Sequence, residues 1–274
     1  MDCLAMHGRC RSPSFLKPLH FVTLAHVIRR EGMINLSLPE HLQQYASRMH
    51  LWDAIGMPAP VSVRELNACG RFVPLEPLRD KHAVHDCAQR LAGITSSARL
   101  SASGVDSLAT AISELLDNCF AHSGAEDGFF GLVCAQYWRK ANLLQIAISD
   151  TGVGIRANLL QADTLQIRER AQEMNCCELA TQLHASSKLQ NGHAGYGLAL
   201  ARQLAEQNGG ALLLASGNEY FRSVGGYVQS GVTARPWTGT LVIVEFNTGA
   251  QLDIGSIYKS WPPVRGYEDA DFDF

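Results

Sequence analysis

Three short stretches of this chain hold residue types that could do chemistry. In ELLDNCFAH, Glu114, Asn118 and His122 recur at every fourth position. Turned at about 100° per residue, the surrounding VDSLATAISELLDNCFAH sets Val105, Leu108, Ile112, Leu115, Leu116 and Cys119 in one apolar arc. The three polar residues then form a stripe along the edge of that arc, putting a carboxylate, a carboxamide and an imidazole in one line. Such a line could hold a metal ion and its water. Magnesium accepts hard oxygen donors and takes only one or two of them from protein, the rest coming from phosphate and water. Taken alone, the stripe reads better as the solvated face of an ordinary helix.

The second stretch is Asp150-Thr-Gly152-Val-Gly154-Ile155, directly after the apolar run LLQIAIS. An aspartate at a strand end, followed by glycines, offers a buried acceptor beside backbone that a flat ligand can approach. A purine amino group would suit that acceptor, although Asp and Gly also end many strands in plain turns. The third stretch, Gly192-His193-Ala-Gly195-Tyr196-Gly197-Leu198, opens the helix-like LALARQLAEQN. Glycines running into a helix N-terminus present free N–H groups and the positive end of the helix dipole to phosphate. No lysine follows these glycines in the manner of a P-loop, and no clear βαβ unit surrounds them as in a dinucleotide site.

Elements must position these stretches. Apolar spacing predicts helices over 15–31, 79–97, 105–122, 163–184 and 196–208. Strands are expected at 129–137, 143–150, 210–217, 225–230 and 239–246, with a further one over 33–39, where MINLSLP alternates. Short connections favour antiparallel pairing, so the fold expected is a two-layer α/β sandwich preceded by a small α/β module. The expected organisation is 1–78 for the module, 79–250 for the sandwich and 251–274 for a tail.

In their order and spacing, ELLDNCFAH, DTGVGI and GHAGYGLAL resemble the N box and the two glycine boxes of the GHKL superfamily. That superfamily includes gyrase B subunits, heat-shock chaperones of the ninety-kilodalton class, mismatch-repair ATPases and histidine kinases. The resemblance covers roughly residues 80 to 250 and implies a Bergerat-type sandwich, with a mainly antiparallel mixed sheet, holding ATP and Mg2+. By matching positions, Asn118 would ligate the metal and Asp150 would accept from adenine. Gly152 and Gly154 would make room for the ring. Gly195, Gly197 and the N–H groups up to Leu198 would wrap the phosphates, and Thr240 would lie near adenine. His122, Ile155 and Tyr196 complete the three motifs on the nucleotide side. Glu114 falls where hydrolytic members keep the base that activates water. The stretch 156–191 would be a lid, with Lys188 and His193 as phosphate contacts.

The resemblance leaves three functions open: a nucleotide-dependent regulatory switch with or without ATP hydrolysis, a serine or histidine kinase acting in trans, and a non-catalytic interaction module. No histidine sits in the phosphoacceptor setting of a usual histidine kinase, and few residues follow Phe246, where a gyrase-like chain would carry a transducer domain. The closest likeness is to stand-alone prokaryotic proteins similar to anti-sigma-factor kinases. The order helix, strand, helix within 15–56 is similar to part of a STAS-like domain. A regulatory protein partner is expected, and a homodimer is one form the switch could take.

The remaining composition bounds these readings. With 274 residues, 46% hydrophobic and 18% charged, the chain can bury a real core. A net charge of −3 argues against a sequence-independent grip on nucleic acid. No apolar run approaches a membrane span and the N-terminus lacks a signal-peptide core, so a cytoplasmic protein without a membrane or nucleic-acid partner is expected. The eight cysteines contain no C-x-x-C pair, which suits a reducing compartment. His82, His85 and Cys87 have zinc-type chemistry without a second close-spaced pair to complete a site.

Overall fold

The computed structural model describes residues 13–32, 36–97, 100–123, 129–186 and 195–262. Its centre is a five-stranded, wholly antiparallel sheet in the order β1-β2-β3-β5-β4. The strands are β1 (Phe72–Leu78), β2 (Gly131–Trp138), β3 (Leu143–Asp150), β4 (Ala211–Val224) and β5 (Tyr227–Asn247). β2, β3 and the last part of β5 are mostly apolar, and their apolar side chains divide between two cores by alternation. Val133, Ala135, Ile146, Ile148, Val242 and Val244 face one core. Leu132, Cys134, Ala147, Leu241 and Ile243 face the other.

The first of these cores is closed by helices that the sequence spacing predicts. α4 (Lys81–Ser97), α5 (Ala102–Ser123) and α9 (Gly197–Gln207) bring Leu91, Ile94, Leu108, Ile112, Leu115, Leu200 and Leu204 down onto the sheet. The second core is closed by α1 (Pro18–Glu31), α2 (Glu40–Arg48) and α3 (Leu51–Ala54). In α1, Pro18 fits the first turn, where its missing N–H costs nothing, and Gly32 ends the helix at φ 63°. The sandwich thus carries a third layer, and β1 joins the same sheet through β2.

Four expectations are corrected. Residues 36–39 form no strand, and 33–35 lie outside the described residues. Pro39 instead caps α2, Leu38 is buried with the helices, and the Leu38 carbonyl accepts from Gln43 Nε2. The helix expected over 163–184 is broken into α7 (Leu165–Glu173) and α8 (Cys176–Leu179), because Asn175 accepts from Glu178 N and starts a new helix. The two strands expected at 225–230 and 239–246 are one, β5, which pairs with a β4 longer than predicted across the Gly225–Gly226 turn. Gly217 and Gly239, which read as strand ends, lie instead where the β4–β5 register shifts. Finally, the expected tail contains α10 (Ile254–Ser260). Asp253 Oδ1 accepts from Gly255 N and Ser256 N, Ile257 is buried, and the following Trp261 donates to Gln203 Oε1 on α9.

Candidate functional site

The cleft forms where α5, the end of β3 and the start of α9 meet. Asn118 on α5, Asp150 at the end of β3, Ile155, Gly195, Gly197, Leu198 and Thr240 all line it. Leu115, Ile148, Leu159, Ala180 and Val242 give it apolar walls. α5 is helical through the whole N-box stripe because its apolar arc is pinned to the core through Leu108, Ile112, Leu115 and Leu116. Asn118 is thereby carried on a rigid element.

Asp150 is 6% exposed. Its Oδ1 accepts from Gly152 N at 2.9 Å and Thr240 N at 3.0 Å. Burial pushes the carboxyl up to about 6, against the pull of those bonds. A donor arriving from a flat ligand would favour the ionised form, so the site is built to gain from a partner such as an amino group. Gly239 packs against this aspartate so closely that a methyl there would overlap the Asp150 carbonyl oxygen. Ser216 Oγ donates to the Gly239 carbonyl at 2.7 Å and accepts from Ile155 N at 2.9 Å. One hydroxyl therefore ties β4, β5 and the start of α6 (Ile155–Leu160) together, and it satisfies an otherwise orphaned helix N–H.

The third stretch closes the other side. A methyl on Gly197 would lie 2.9 Å from Glu114 Cβ, 3.0 Å from Glu114 Oε2 and 3.3 Å from Asn118 Nδ2. The first residue of α9 is thus packed on the N-box stripe, and only glycine allows that approach. The start of α9 faces the same space as Asn118, which is the arrangement an anion requires. Tyr196, the residue before α9, is not among the cleft-lining residues; its ring packs on Trp261 at 4.9 Å and His184 at 5.0 Å. Gly152 donates to Asp150, and Gly154 is the N-cap of α6. Lys188 and His193 lie outside the described residues, as does the side chain of His122.

Of the segment expected as a lid, the described residues 156–186 are largely packed into the core. Leu159, Ala162, Ile167, Ala171, Cys176 and Leu179 are core residues. Arg156 donates to Glu219 Oε1 at 2.5 Å and to the carbonyls of Ala171 and Met174, and Glu219 also accepts from Cys176 N. The sequence reading missed Asn158, Ser186, Ser216 and Gly239. A serine closing the apolar run GALLLAS and a glycine two residues after Trp237 were the available signals for the last two. Asn158 and Ser186 carried none. Among the described residues, no group of three or more His, Cys, Asp or Glu could hold a metal ion. Cys87 of the zinc-type trio is a buried thiol that desolvation pushes up to about 12, and His85 bonds Gln89.

The family described as histidine kinase-, DNA gyrase B-, and HSP90-like ATPase matches residues 104–248, more than half of the chain. The chain belongs to this ATPase family. The match takes in α5, the β2–β5 sheet core and α9, so every element that lines the cleft lies within the ATPase domain. ATP binding follows from that membership, and the mixed α/β sandwich is the fold the family requires. A comparison with curated proteins gives no match. Among the described residues of this ATPase-family chain, no helix is long and apolar enough to cross a membrane.

Proposed function

We propose that the chain binds Mg-ATP in this cleft and acts as a nucleotide-dependent regulatory switch that resets by hydrolysis. The observation that carries the reading is convergence. Residues near 114–118, 150–155 and 195–198 are remote in sequence, yet Gly197 rests on Glu114 and Asn118 at the mouth of the cleft that Asp150 closes. In this reading Asp150 accepts from the adenine amino group, and Thr240 and the apolar walls hold the ring. Asn118 is the protein ligand to magnesium, its amide oxygen being the kind of hard donor that ion accepts. Bound magnesium would neutralise charge developing on the phosphate oxygens. The N–H groups from Gly195 to Leu198 receive the phosphates, and Glu114 takes the proton from the attacking water.

The N box's likeness to anti-sigma-factor kinases supports a protein partner as the output of the switch. The ATP-binding unit would span 79–250, with residues 1–78 transmitting its state from the sheet's other face. The STAS-like reading of that segment loses its support at residues 36–39, which form no strand. The described cysteines are free thiols, four of five of them buried, which supports a reducing, cytoplasmic setting.

The test is thermal melting of wild type and Asn118→Ala with and without Mg-ATP, followed by phosphate release. ATP at about 100 times its dissociation constant should stabilise wild type by about 2.7 kcal/mol and the variant far less. Phosphate release lost in Glu114→Ala supports hydrolysis, whereas label moving to a protein would make the chain a kinase in trans. No shift in wild type at millimolar Mg-ATP would overturn the reading.

A further inference from the structure

We infer that a basic, aromatic groove at the far end of the sheet binds an acidic peptide segment of a partner protein. Asp150 ends β3 on the nucleotide side, while Leu143 begins it on the other, paired with Trp138. At about 3.3 Å per residue these ends are roughly 23 Å apart. Two adjoining cavities open at the Trp138 end, walled by the end of α2, the irregular stretch 57–70 and the β2–β3 turn. Arg48 lines both of them.

Arg48, Arg71, Arg139 and Lys140 all line one of these cavities, together with Tyr45 and Trp138, and no carboxylate lines it. Among the described residues none of the four cations makes an ion pair. Four unpaired cations around one hollow stand out in a chain of net charge −3. Two buried polar atoms at the groove also lack hydrogen-bond partners, Arg48 Nε and the Oγ of Ser47, a residue only 7% exposed. Buried donors are almost always paired, so these are groups an incoming acceptor would satisfy.

The ligand class follows from shape and charge. Guanidinium groups take carboxylates through paired hydrogen bonds, while Tyr45 and Trp138 already pack on Phe15 and give the groove an apolar wall. Two chambers sharing one arginine suit an extended segment of several residues better than a single small anion. The negative charge of the rest of the chain opposes a long polyanion running beyond the groove, which favours a peptide over a nucleic-acid strand. Asp53 and Glu65 line the adjoining chamber and would keep the most acidic part of the segment at the Arg71–Lys140 end. The proposal is independent of the nucleotide reading, because none of these residues belongs to the cleft.

The experiment uses the full chain and a fluorescein-labelled peptide, DEFDEAE, with KKFKKAK and the charge-neutral NQFNQAQ as controls, read by fluorescence anisotropy. The acidic probe should bind, weaken as salt rises, and weaken about tenfold or more in Arg71→Glu and in the double variant Arg139→Glu/Lys140→Glu. Both variants should keep the wild-type far-UV circular dichroism spectrum and a single cooperative thermal melt, which shows that they fold. Equal binding of the acidic and neutral peptides, or full binding by both variants, would overturn the proposal. So would displacement of the peptide by millimolar inorganic phosphate, which would reduce the groove to a small-anion site. A single-stranded oligonucleotide that binds more tightly than the peptide, and is lost in the same variants, would overturn it in favour of nucleic acid.

Discussion

Ser149 and Asp150 are neighbours in β3 and serve opposite faces of the sheet. On the α1 face, Ser149 Oγ meets His26 Nδ1 at 3.2 Å. The His26 ring stacks on Trp237 at 4.4 Å between centroids and bonds the backbone of Thr238. Burial first, and the charge of Arg30 second, hold this histidine down at about 4 against the pull of the Thr238 bond. On the cleft face, burial holds Asp150 up at about 6. On both faces, therefore, burial shifts an ionisable group toward its neutral form, although at pH 7 His26 is neutral and Asp150 still mostly ionised. His26 is enclosed by helix, serine and indole, whereas Asp150 lines an open cleft. Burial of a titratable group is common to structure and function, and the difference lies in whether space is left for a partner beside it.

The two groups should act on stability with opposite signs. Asp150 has a raised pKa, so its contribution is fully present below about 3.8 and lost as pH rises through 6. His26 has a depressed pKa, so its contribution is present above 6.5 and lost as pH falls toward 4. In wild type these slopes oppose each other between pH 4 and 6.

The sharpest way to break the comparison is Asp150→Asn. This variant should lose the Mg-ATP melting shift, yet at pH 7 without nucleotide it should resist urea better than wild type by up to roughly 3 kcal/mol. A variant that still binds ATP normally would make the two faces equivalent. His26→Gln sharpens the contrast from the other side. It should flatten the acid limb of urea stability measured from pH 7 to 4, worth roughly 2 to 3 kcal/mol in wild type, and change ATP affinity less than about threefold. The smallest effect belongs to Arg156→Met, which leaves Glu219 buried without its guanidinium. Because the Arg156 side chain is 41% exposed, the loss should be only about 1 to 2 kcal/mol of urea stability. An unchanged value would mean that α6 to α8 are held by their apolar contacts alone.

Much of the cleft side could be read from residue order, because a buried helix, a glycine-flanked aspartate and a glycine loop each impose local chemistry that shows in sequence. Asn118, Asp150 and Gly197 line one cleft. What escaped was set by contacts between distant segments. Ser216 matters only because β4 brings it to Ile155 and Gly239. Residues 36–39 alternate like a strand but have no partner strand, and Leu38 is buried with the helices instead. Arg156 anchors a segment that reads as mobile because its acceptor, Glu219, lies 63 positions away. Gly217 and Gly239 break propensity without breaking pairing. The short α10 depends on a capping aspartate and a single buried isoleucine, too little for periodicity to reveal.

The antiparallel order β1-β2-β3-β5-β4 sets β5 beside β3, and the core of α1 to α3 includes Leu241 and Ile243. The layer that is synthesised first therefore waits for a strand that begins to leave the ribosome about 200 residues later. Until then Phe21, Val22 and Ile28 have only part of the surface that will cover them, and the nascent chain presents an amphipathic helix of the kind that holdase chaperones bind. A chain stopped before residue 240 would lack the middle of both cores at once, so such fragments should aggregate rather than fold as a smaller unit.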